Sequence, residues 1–359
     1  MSDPVRWGIL GAGQIAKKFT AALKQLPDAR LVAVGSQSPE RAESFGQEFG
    51  APKRYASYAE LANDPQIDVV YVATRHPGHN RNALLALGAG KAVLCEKPFA
   101  LNASQARAVI EFARGKKLFL MEAMWTRFFP LMVKLREMLR EKVIGEARML
   151  IADFGFRAEF DPASRLFNPA DGGGALLDVG VYPVSLASMI FGAPAKITSL
   201  ARLGQTGVDE ESAVLLQHAG GELAMLGCAL RTNMPQEAVI LGRSGQIRIH
   251  SPWWRPHSMT LTIDQDQKRA ERKKHLRFNL PFARAISLSV IAHVGSENTL
   301  ELPYEGNGYG YEAAEVMRCL RAGKVESSVM PLDESLSIMQ TLDAIRAPWG
   351  LRYPGDSRE

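Results

Sequence analysis

GILGAGQIAKKF, Gly8 to Phe19, decides the fold. An apolar run from Val5 to Leu10 reads as a strand, and Gly11, Gly13 and Ala16 follow it as GxGxxA at the head of a helical pattern from Gln14 to Gln25. In such a turn the first glycine makes the tight bend, the second lets the backbone approach a pyrophosphate, and a small third residue permits close helix–strand contact. The helix N-terminus, at Gln14 and Ile15, then faces the anion. Alone, GxGxxA also fits a glycine-rich turn of some other α/β fold. At the first strand of a βαβ unit it points to a bound dinucleotide.

The pattern continues through the first third of the chain. Ala29 to Val34, Val69 to Val72, Ala92 to Leu94 and Leu118 to Met121 read as further strands, separated by helical stretches at Pro39 to Phe49, Asn80 to Leu87 and Ser104 to Arg114. Strand and helix in alternation predict a Rossmann-like, doubly wound parallel sheet. From Glu146 the rhythm changes. Ala147 to Phe156, Ile197 to Leu203, Ser212 to His218, Glu222 to Leu230, Ala238 to Leu241, Gln246 to His250 and Met259 to Ile263 read as strands with turn signals between them, and predict a large, mostly antiparallel sheet. Helices are expected near Ala175 to Ile190, Tyr311 to Ala322 and Asp333 to Ile345. The expected fold class is α/β, with a dinucleotide-binding domain over 1–125 and an α+β substrate-binding and dimerisation domain over 126–359, its last helix packing back on the first domain.

Composition excludes several classes. At 359 residues, 46% apolar and 23% charged, the chain resembles an ordinary globular protein of about two domains. Its three cysteines, Cys95, Cys228 and Cys319, include no CxxC pair, which argues against a disulfide framework or structural zinc and for a reducing compartment. The opening MSDPVRW has no basic segment followed by an apolar stretch, and no run reaches 18 uninterrupted apolar residues, so a cytoplasmic location is expected and no membrane partner. The net charge of +5 comes from one run, KRAERKKHLR at Lys268 to Arg277; outside it the chain holds 37 residues of each sign. That is one solvated segment rather than a nucleic-acid-binding face. His76 and His79 are three apart but lack a third ligand of matching kind, so no metal is expected. The sequence contains no GxSxG for serine-based hydrolysis.

The adenosine end of the dinucleotide is read at AVGSQSPERA. Where the fingerprint expects a carboxylate for the ribose hydroxyls, the chain has Ser36, and Arg41 opens the next helix. A hydroxyl followed by a guanidinium suits a 2′-phosphate, since arginine offers charge-assisted, often bidentate bonds to it. NADP is favoured over NAD; the bland alternative for Arg41 is a solvated helix residue.

Two stretches carry the chemistry. In VLCEKPFALN, Val93 to Asn102, a core strand ends in Glu96, Lys97 and Pro98, and a lysine is rarely buried without a partner. In GGGALLDVGVYP, Gly172 to Pro183, Asp178 and Tyr182 are four apart and share a helix face, while Pro183 should kink that helix or begin it anew.

With YVATRHPGHNRNALLALGAGKAVLCEKPFALN, EAMWTRFFP and RAGKVESSVMPLDESLSIMQTLDAIRAPWGLRYP, these stretches make the chain resemble the Gfo/Idh/MocA family of nicotinamide-dependent oxidoreductases over nearly its whole length. Within it the resemblance is to the branch of dihydrodiol and NADP-dependent xylose dehydrogenases, which carries tyrosine where many other members carry histidine. The resemblance implies that Lys97 sits beside the nicotinamide and contacts the reacting hydroxyl, that Glu96 holds the lysine or the local backbone, and that Tyr182 is the general acid/base with Asp178 orienting it or the substrate. An ammonium there is expected to stabilise a developing alkoxide and to lower the pKa of a neighbouring phenol. Thr74 and His79 are expected along the cofactor, although His79 could instead cap its helix. Trp125 and Phe154 are read either as pocket aromatics for a small-molecule sugar, cyclic polyol or dihydrodiol, or as interdomain core. Trp253 and Trp254 are expected in packing or a subunit contact. A homodimer through the open sheet face is the family's common assembly. The competing function class is a redox-inactive, dinucleotide-binding sensor, which has no need of a proton relay.

Overall fold

The strand at Val5–Leu10 lies inside a six-stranded sheet. A computed structural model describes residues 3–264 and 298–356, so the basic run at 268–277 lies outside the described residues. In chain order the strands are β1 (Val5–Leu10), β2 (Ala29–Gly35), β3 (Lys53–Tyr55), β4 (Val69–Val72), β5 (Ala92–Glu96) and β6 (Leu120–Ala123). They stand in the order β3-β2-β1-β4-β5-β6, and every pair is parallel. β4, β5 and β6 are buried at every position, as strands covered on both faces must be. The intervening helices are α1 (Gln14–Leu23), α2 (Pro39–Phe49), α3 (Tyr58–Ala62), α4 (His79–Gly88) and α5 (Ala103–Lys116). Local signals set their ends: α2 starts with Ser38 accepting the Arg41 N–H and Pro39 in its first turn, and stops at Gly50 with φ 72°.

Strand order reverses between β1 and β4, so the carboxyl ends of β1, β4 and β5 border one crevice. The sequence pattern misses β3 and α3, because a three-residue edge strand reading KRY has no apolar run to mark it. It also stops β5 too early. Glu96 belongs to the strand and is buried, because Tyr71 on β4 supplies its carboxylate with a hydrogen bond.

The second sheet has eight strands: β7 (Ala147–Gly155), β8 (Pro194–Leu203), β9 (Asp209–His218), β10 (Leu223–Ala229), β11 (Ala238–Gly242), β12 (Gly245–Ile249), β13 (Ser258–Ile263) and β14 (Asn298–Glu301). Their order is β14-β13-β12-β11-β7-β10-β9-β8, antiparallel except for the β7–β10 pair. The remaining helices are α6 (Pro130–Arg140), α7 (Val181–Phe191), α8 (Gly310–Arg321) and α9 (Leu332–Arg346). α7 packs on β7 and β10, and α9 on β8, so one face of the sheet is covered. On the other face Ile151, Met225 and Leu215 stand directly opposite one another across β7, β10 and β9, at 41%, 45% and 52% exposure.

The segment Pro169–Phe191 is long and apolar enough to cross a membrane, but it is largely buried inside the protein and serves as core. α9 packs against α5, where Asp343 accepts the Ala103 N–H at 2.8 Å and Asp333 pairs with Arg114 at 2.8 Å. Between the two sheets the buried Arg127 donates to Ser185 Oγ at 3.0 Å, to the Ser185 carbonyl at 2.7 Å and to Glu334 at 2.7 Å. It thereby fixes α7 and α9 against the end of β6. A guanidinium inside the apolar stretch MWTRFF was the available signal for this hub, and it went unread.

Candidate active site

The floor of the crevice is the turn after β1. Gly11 has φ +104°, and a Cβ there would stand 2.6 Å from the Ala73 carbonyl oxygen, so only glycine lets β1 and β4 end this close together. Gly13 differs: a Cβ on it would meet nothing within 4 Å. It precedes α1 without a side-chain cap, and the first turn of α1, at Gln14 and Ile15, carries no acidic residue. Open space in front of uncapped N–H groups is what a pyrophosphate requires, and these residues fit that group.

At the adenosine side, Ser36 follows β2 and is buried, with its hydroxyl accepting the Ser38 N–H at 3.2 Å. Arg41 lies exposed on α2 and, among the described residues, makes no ion pair. The nearest acid in sequence, Glu40, is turned to the Ser38 hydroxyl at 2.7 Å. A 2′-phosphate would therefore meet a guanidinium rather than a carboxylate.

Thr74, just after β4, accepts the Asn82 side-chain N–H at 3.0 Å. His79, at the start of α4, is braced by two backbone carbonyls. It is 1% exposed, with Nδ1 2.8 Å from the Pro98 carbonyl and Nε2 3.0 Å from the Thr74 carbonyl. The ring bridges the segments that follow β4 and β5, and burial lowers its pKa.

Lys97 follows β5 with its side chain 13% exposed. Its Nζ donates to the Asp178 carbonyl at 2.6 Å, lies 3.6 Å from Asp178 Oδ1, and sits 4.9 Å from the centroid of the Tyr182 ring. Glu96 holds the local backbone, accepting the Lys97 N–H at 3.2 Å, and burial pushes its carboxyl up to about 7. The Lys97 contact with Asp178 depends on an irregular helix. Leu176–Gly180 forms a π-helical turn before α7, and Pro183 offers that turn no N–H, so an outside donor serves the Asp178 carbonyl. Gly180 lets the turn sit on β10, since a Cβ there would come within 2.8 Å of Cys228 Sγ.

The electrostatics divide the roles. Burial alone would raise the Asp178 pKa, but Lys97, Arg165 and His76 outweigh it and hold the group well below the usual carboxylate range. Asp178 is thus a fixed anion, bonded to Arg165 Nη1 at 2.9 Å. Tyr182 goes the other way. Burial pushes its phenol well above the ordinary value, and the Trp125 indole N–H, donating to the hydroxyl at 2.8 Å, only partly opposes this. The expected lowering of the phenol does not result: burial outweighs it, with the Lys97 ammonium 4.9 Å from the ring centroid. Tyr182 is a neutral phenol here, a proton donor first.

Aromatic rings wall the site. Trp125 stacks on Tyr309 with centroids 4.2 Å apart; Phe154 stacks on Trp254 at 4.9 Å and lies 5.3 Å from the Tyr182 ring. Trp254 therefore belongs to this wall and not to remote packing, whereas its neighbour Trp253 is fully buried and donates to the Asp153 carbonyl at 2.6 Å. Arg165, Tyr309 and Trp254 are the residues sequence reasoning missed here. The tryptophan doublet was the one visible signal.

A Rossmann-like parallel sheet with a lysine, an anion and a phenol gathered beyond the end of β5 is the architecture of a dinucleotide-binding α/β protein. Comparison with known proteins gives the family. Residues 5–124 match the Gfo/Idh/MocA model described as an oxidoreductase family with an NAD-binding Rossmann fold, and residues 132–248 match the GFO/IDH/MocA C-terminal domain. The chain belongs to this family. It is 41% identical to trans-1,2-dihydrobenzene-1,2-diol dehydrogenase of Mus musculus over 358 residues, 99% of each chain. The Homo sapiens enzyme of the same name is 38% identical, again over 99% of each. Among solved structures, an aldose-aldose oxidoreductase from Caulobacter crescentus complexed with glycerol shares the fold with a TM-score of 0.81 at 22% identity, covering 96% of this chain and 97% of that one.

Proposed function

We propose that the protein is an NADP-dependent dehydrogenase or reductase that interconverts a hydroxyl and a carbonyl on a trans-dihydrodiol, a sugar or a cyclic polyol. The observation that carries this is the convergence of Lys97, Asp178 and Tyr182 inside an aromatic wall, at the carboxyl ends of β1, β4 and β5. Similarity to the dihydrodiol dehydrogenases supports the substrate class. Bound NADP supplies the hydride acceptor or donor. Lys97 donates to the substrate oxygen and offsets the negative charge that develops on it. Tyr182 exchanges the proton with that oxygen, and Asp178 anchors the ammonium. Trp125, Phe154 and Trp254, packed on one another and on Tyr309, shape the wall against which an unsaturated ring or a sugar ring sits. A spectrophotometric screen for NADPH formation on trans-dihydrodiols, aldoses and cyclitols tests the proposal; no turnover on any of the three classes would count against it.

Cofactor choice rests on Ser36 and Arg41. NADP is expected to bind more tightly than NAD, and Ser36→Asp with Arg41→Ala should reverse the order, since a carboxylate repels the 2′-phosphate and binds the free ribose hydroxyls. Fluorescence titration of both nucleotides checks this. NAD binding at least as tight as NADP in the unmodified protein would remove both residues from the assignment.

The assembly proposed with this function is a homodimer through the second sheet. The row Ile151, Met225 and Leu215, with exposed Leu200 on β8 standing opposite Ala213 beside it, is the kind of apolar face that a second copy covers. Light scattering at micromolar concentration should report a dimer, and Leu215→Asp with Met225→Asp should yield a folded monomer. A monomer before substitution would overturn the assignment. A reducing, cytoplasmic location is proposed as well, supported by three buried, free cysteines.

A further inference from the structure

Asp209 opens β9 and is fully buried. A cation that acts on it, Arg346, is already held by Asp343 at 2.7 Å and Asp356 at 2.5 Å, and among the described residues no salt bridge explains a carboxyl at this place. Burying such a group is unfavourable unless its oxygens find donors. One oxygen finds a particular donor. Asp209 Oδ2 accepts the backbone N–H of Leu176 at 2.7 Å, across 33 residues of sequence, with the N–H groups of Ala175 and of Asp209 itself also lowering its pKa, while Oδ1 has no hydrogen-bond partner among the described residues.

Leu176 begins the π turn that carries Asp178, and Tyr182 lies six residues further on. The residue before it, Ala175, has no side chain able to cap the helical segment, so the cap comes from β9 instead. A π turn is looser than an α turn and is held less firmly by its own ladder. The surrounding contacts clamp it from outside. The Tyr353 hydroxyl donates to the Gly173 carbonyl at 2.6 Å just upstream, and Cys228 packs under Gly180 just downstream. Gly174 has φ +116°, and a Cβ on it would stand 2.2 Å from Asp209 Oδ1. The third glycine of GGGALLD is therefore required by Asp209 as well as by its own backbone.

We propose that Asp209 is a positioning residue for the proton relay: its bond to the Leu176 N–H sets where the π turn presents Asp178 and Tyr182 to Lys97. The inference deepens the dehydrogenase reading and rests on the relay assigned there. Burial pushes the Asp209 carboxyl up to about 7, against the opposing pull of the Leu176 N–H. Asparagine keeps the acceptor; alanine removes it.

The test compares Asp209→Ala and Asp209→Asn in three measurements on the full chain. These are steady-state kinetics with the primary deuterium isotope effect from 4-deuterated NADPH, NADPH fluorescence titration, and amide hydrogen exchange across Leu176 to Tyr182. Asp209→Ala should lower kcat about tenfold or more, because displacements of an ångström in a catalytic group cost one to two orders of magnitude. The isotope effect should rise, exchange at Leu176 should quicken, and KM and NADPH affinity should change by less than about threefold, since the binding turn at Gly11 and Gly13 is untouched. Asp209→Asn should restore each value to within about threefold of the unmodified protein. Unchanged exchange at Leu176 in Asp209→Ala, or quickened exchange with normal kcat, would overturn the inference. If the alanine variant does not fold, a folded Asp209→Asn that loses turnover with normal exchange overturns it equally. Exchange needs no turnover, so a failure of the pin stays distinguishable from a failure of the relay, which Tyr182→Phe reports.

Discussion

Lys97→Met should lower turnover by about a hundredfold or more, the range for losing a positioned proton-transfer or charge-stabilising group, while NADPH affinity changes little. Methionine keeps an unbranched stem of similar length, so packing at the end of β5 is largely preserved. What disappears is the ammonium that donates to the Asp178 carbonyl at 2.6 Å and faces the Tyr182 ring. Asp178 would then keep Arg165 as its one bonded cation, and its pKa should rise from its strongly lowered position. On the proposed reading dinucleotide binding depends on the turn at Gly11 and Gly13, which contains none of these groups. Steady-state kinetics beside fluorescence titration separates the two effects; equal losses in turnover and NADPH affinity would place Lys97 in binding alone.

Tyr182→Phe should lower turnover by a similar factor, about a hundredfold. The change removes one oxygen and keeps the ring that lies 5.3 Å from Phe154 and under the Lys97 ammonium. One structural side effect is built in: the Trp125 indole N–H loses its acceptor, a buried unsatisfied donor worth about 1–3 kcal/mol of stability. A thermal melt measures that share separately from turnover. Because burial holds the phenol protonated, the reduction direction, in which Tyr182 gives its proton to the substrate oxygen, should suffer at least as much as oxidation.

The parts of this site that were legible in the sequence are those fixed by hard local sterics or by contiguous motifs. Gly11 could be read because a left-handed turn against the Ala73 carbonyl admits no side chain, and the consequence is visible in twelve residues of sequence. The two sheets were legible because their strands differ in pattern. β4 and β5 are buried throughout, whereas β9 alternates buried and exposed from Ser212 onward. The identities of Lys97, Asp178 and Tyr182 stood out as motifs, but their roles came from family resemblance, and their geometry from neither. No spacing rule says that a lysine will bond a helix carbonyl 81 residues away, or that the helix will relax into a π turn to present it.

Arg127, Asp209 and Trp254 left at most a hint in the sequence, for one shared reason. Each acts through a partner that the topology, not the local chain, brings near. Arg127 reaches Glu334 across 207 residues, and Thr126 holds the Trp254 carbonyl across 128. β3 was missed on different grounds, since KRY at a sheet edge buries too little apolar surface to leave a pattern. A histidine at a helix start reads equally as a ligand contact or a buried brace, and the sequence could not show the two carbonyls that hold the His79 ring.

The relay itself is tested most directly by turnover of the Lys97→Met, Tyr182→Phe double variant beside the two single variants, on one accepted substrate with NADPH binding measured in each. If ammonium and phenol act as a unit, the double variant is little worse than the worse single, because the second substitution removes a group whose partner is already gone. A double variant whose loss approaches the product of the two single losses would contradict that coupling, and near-normal turnover in Tyr182→Phe would take the tyrosine out of the mechanism and leave Lys97 as the proton carrier.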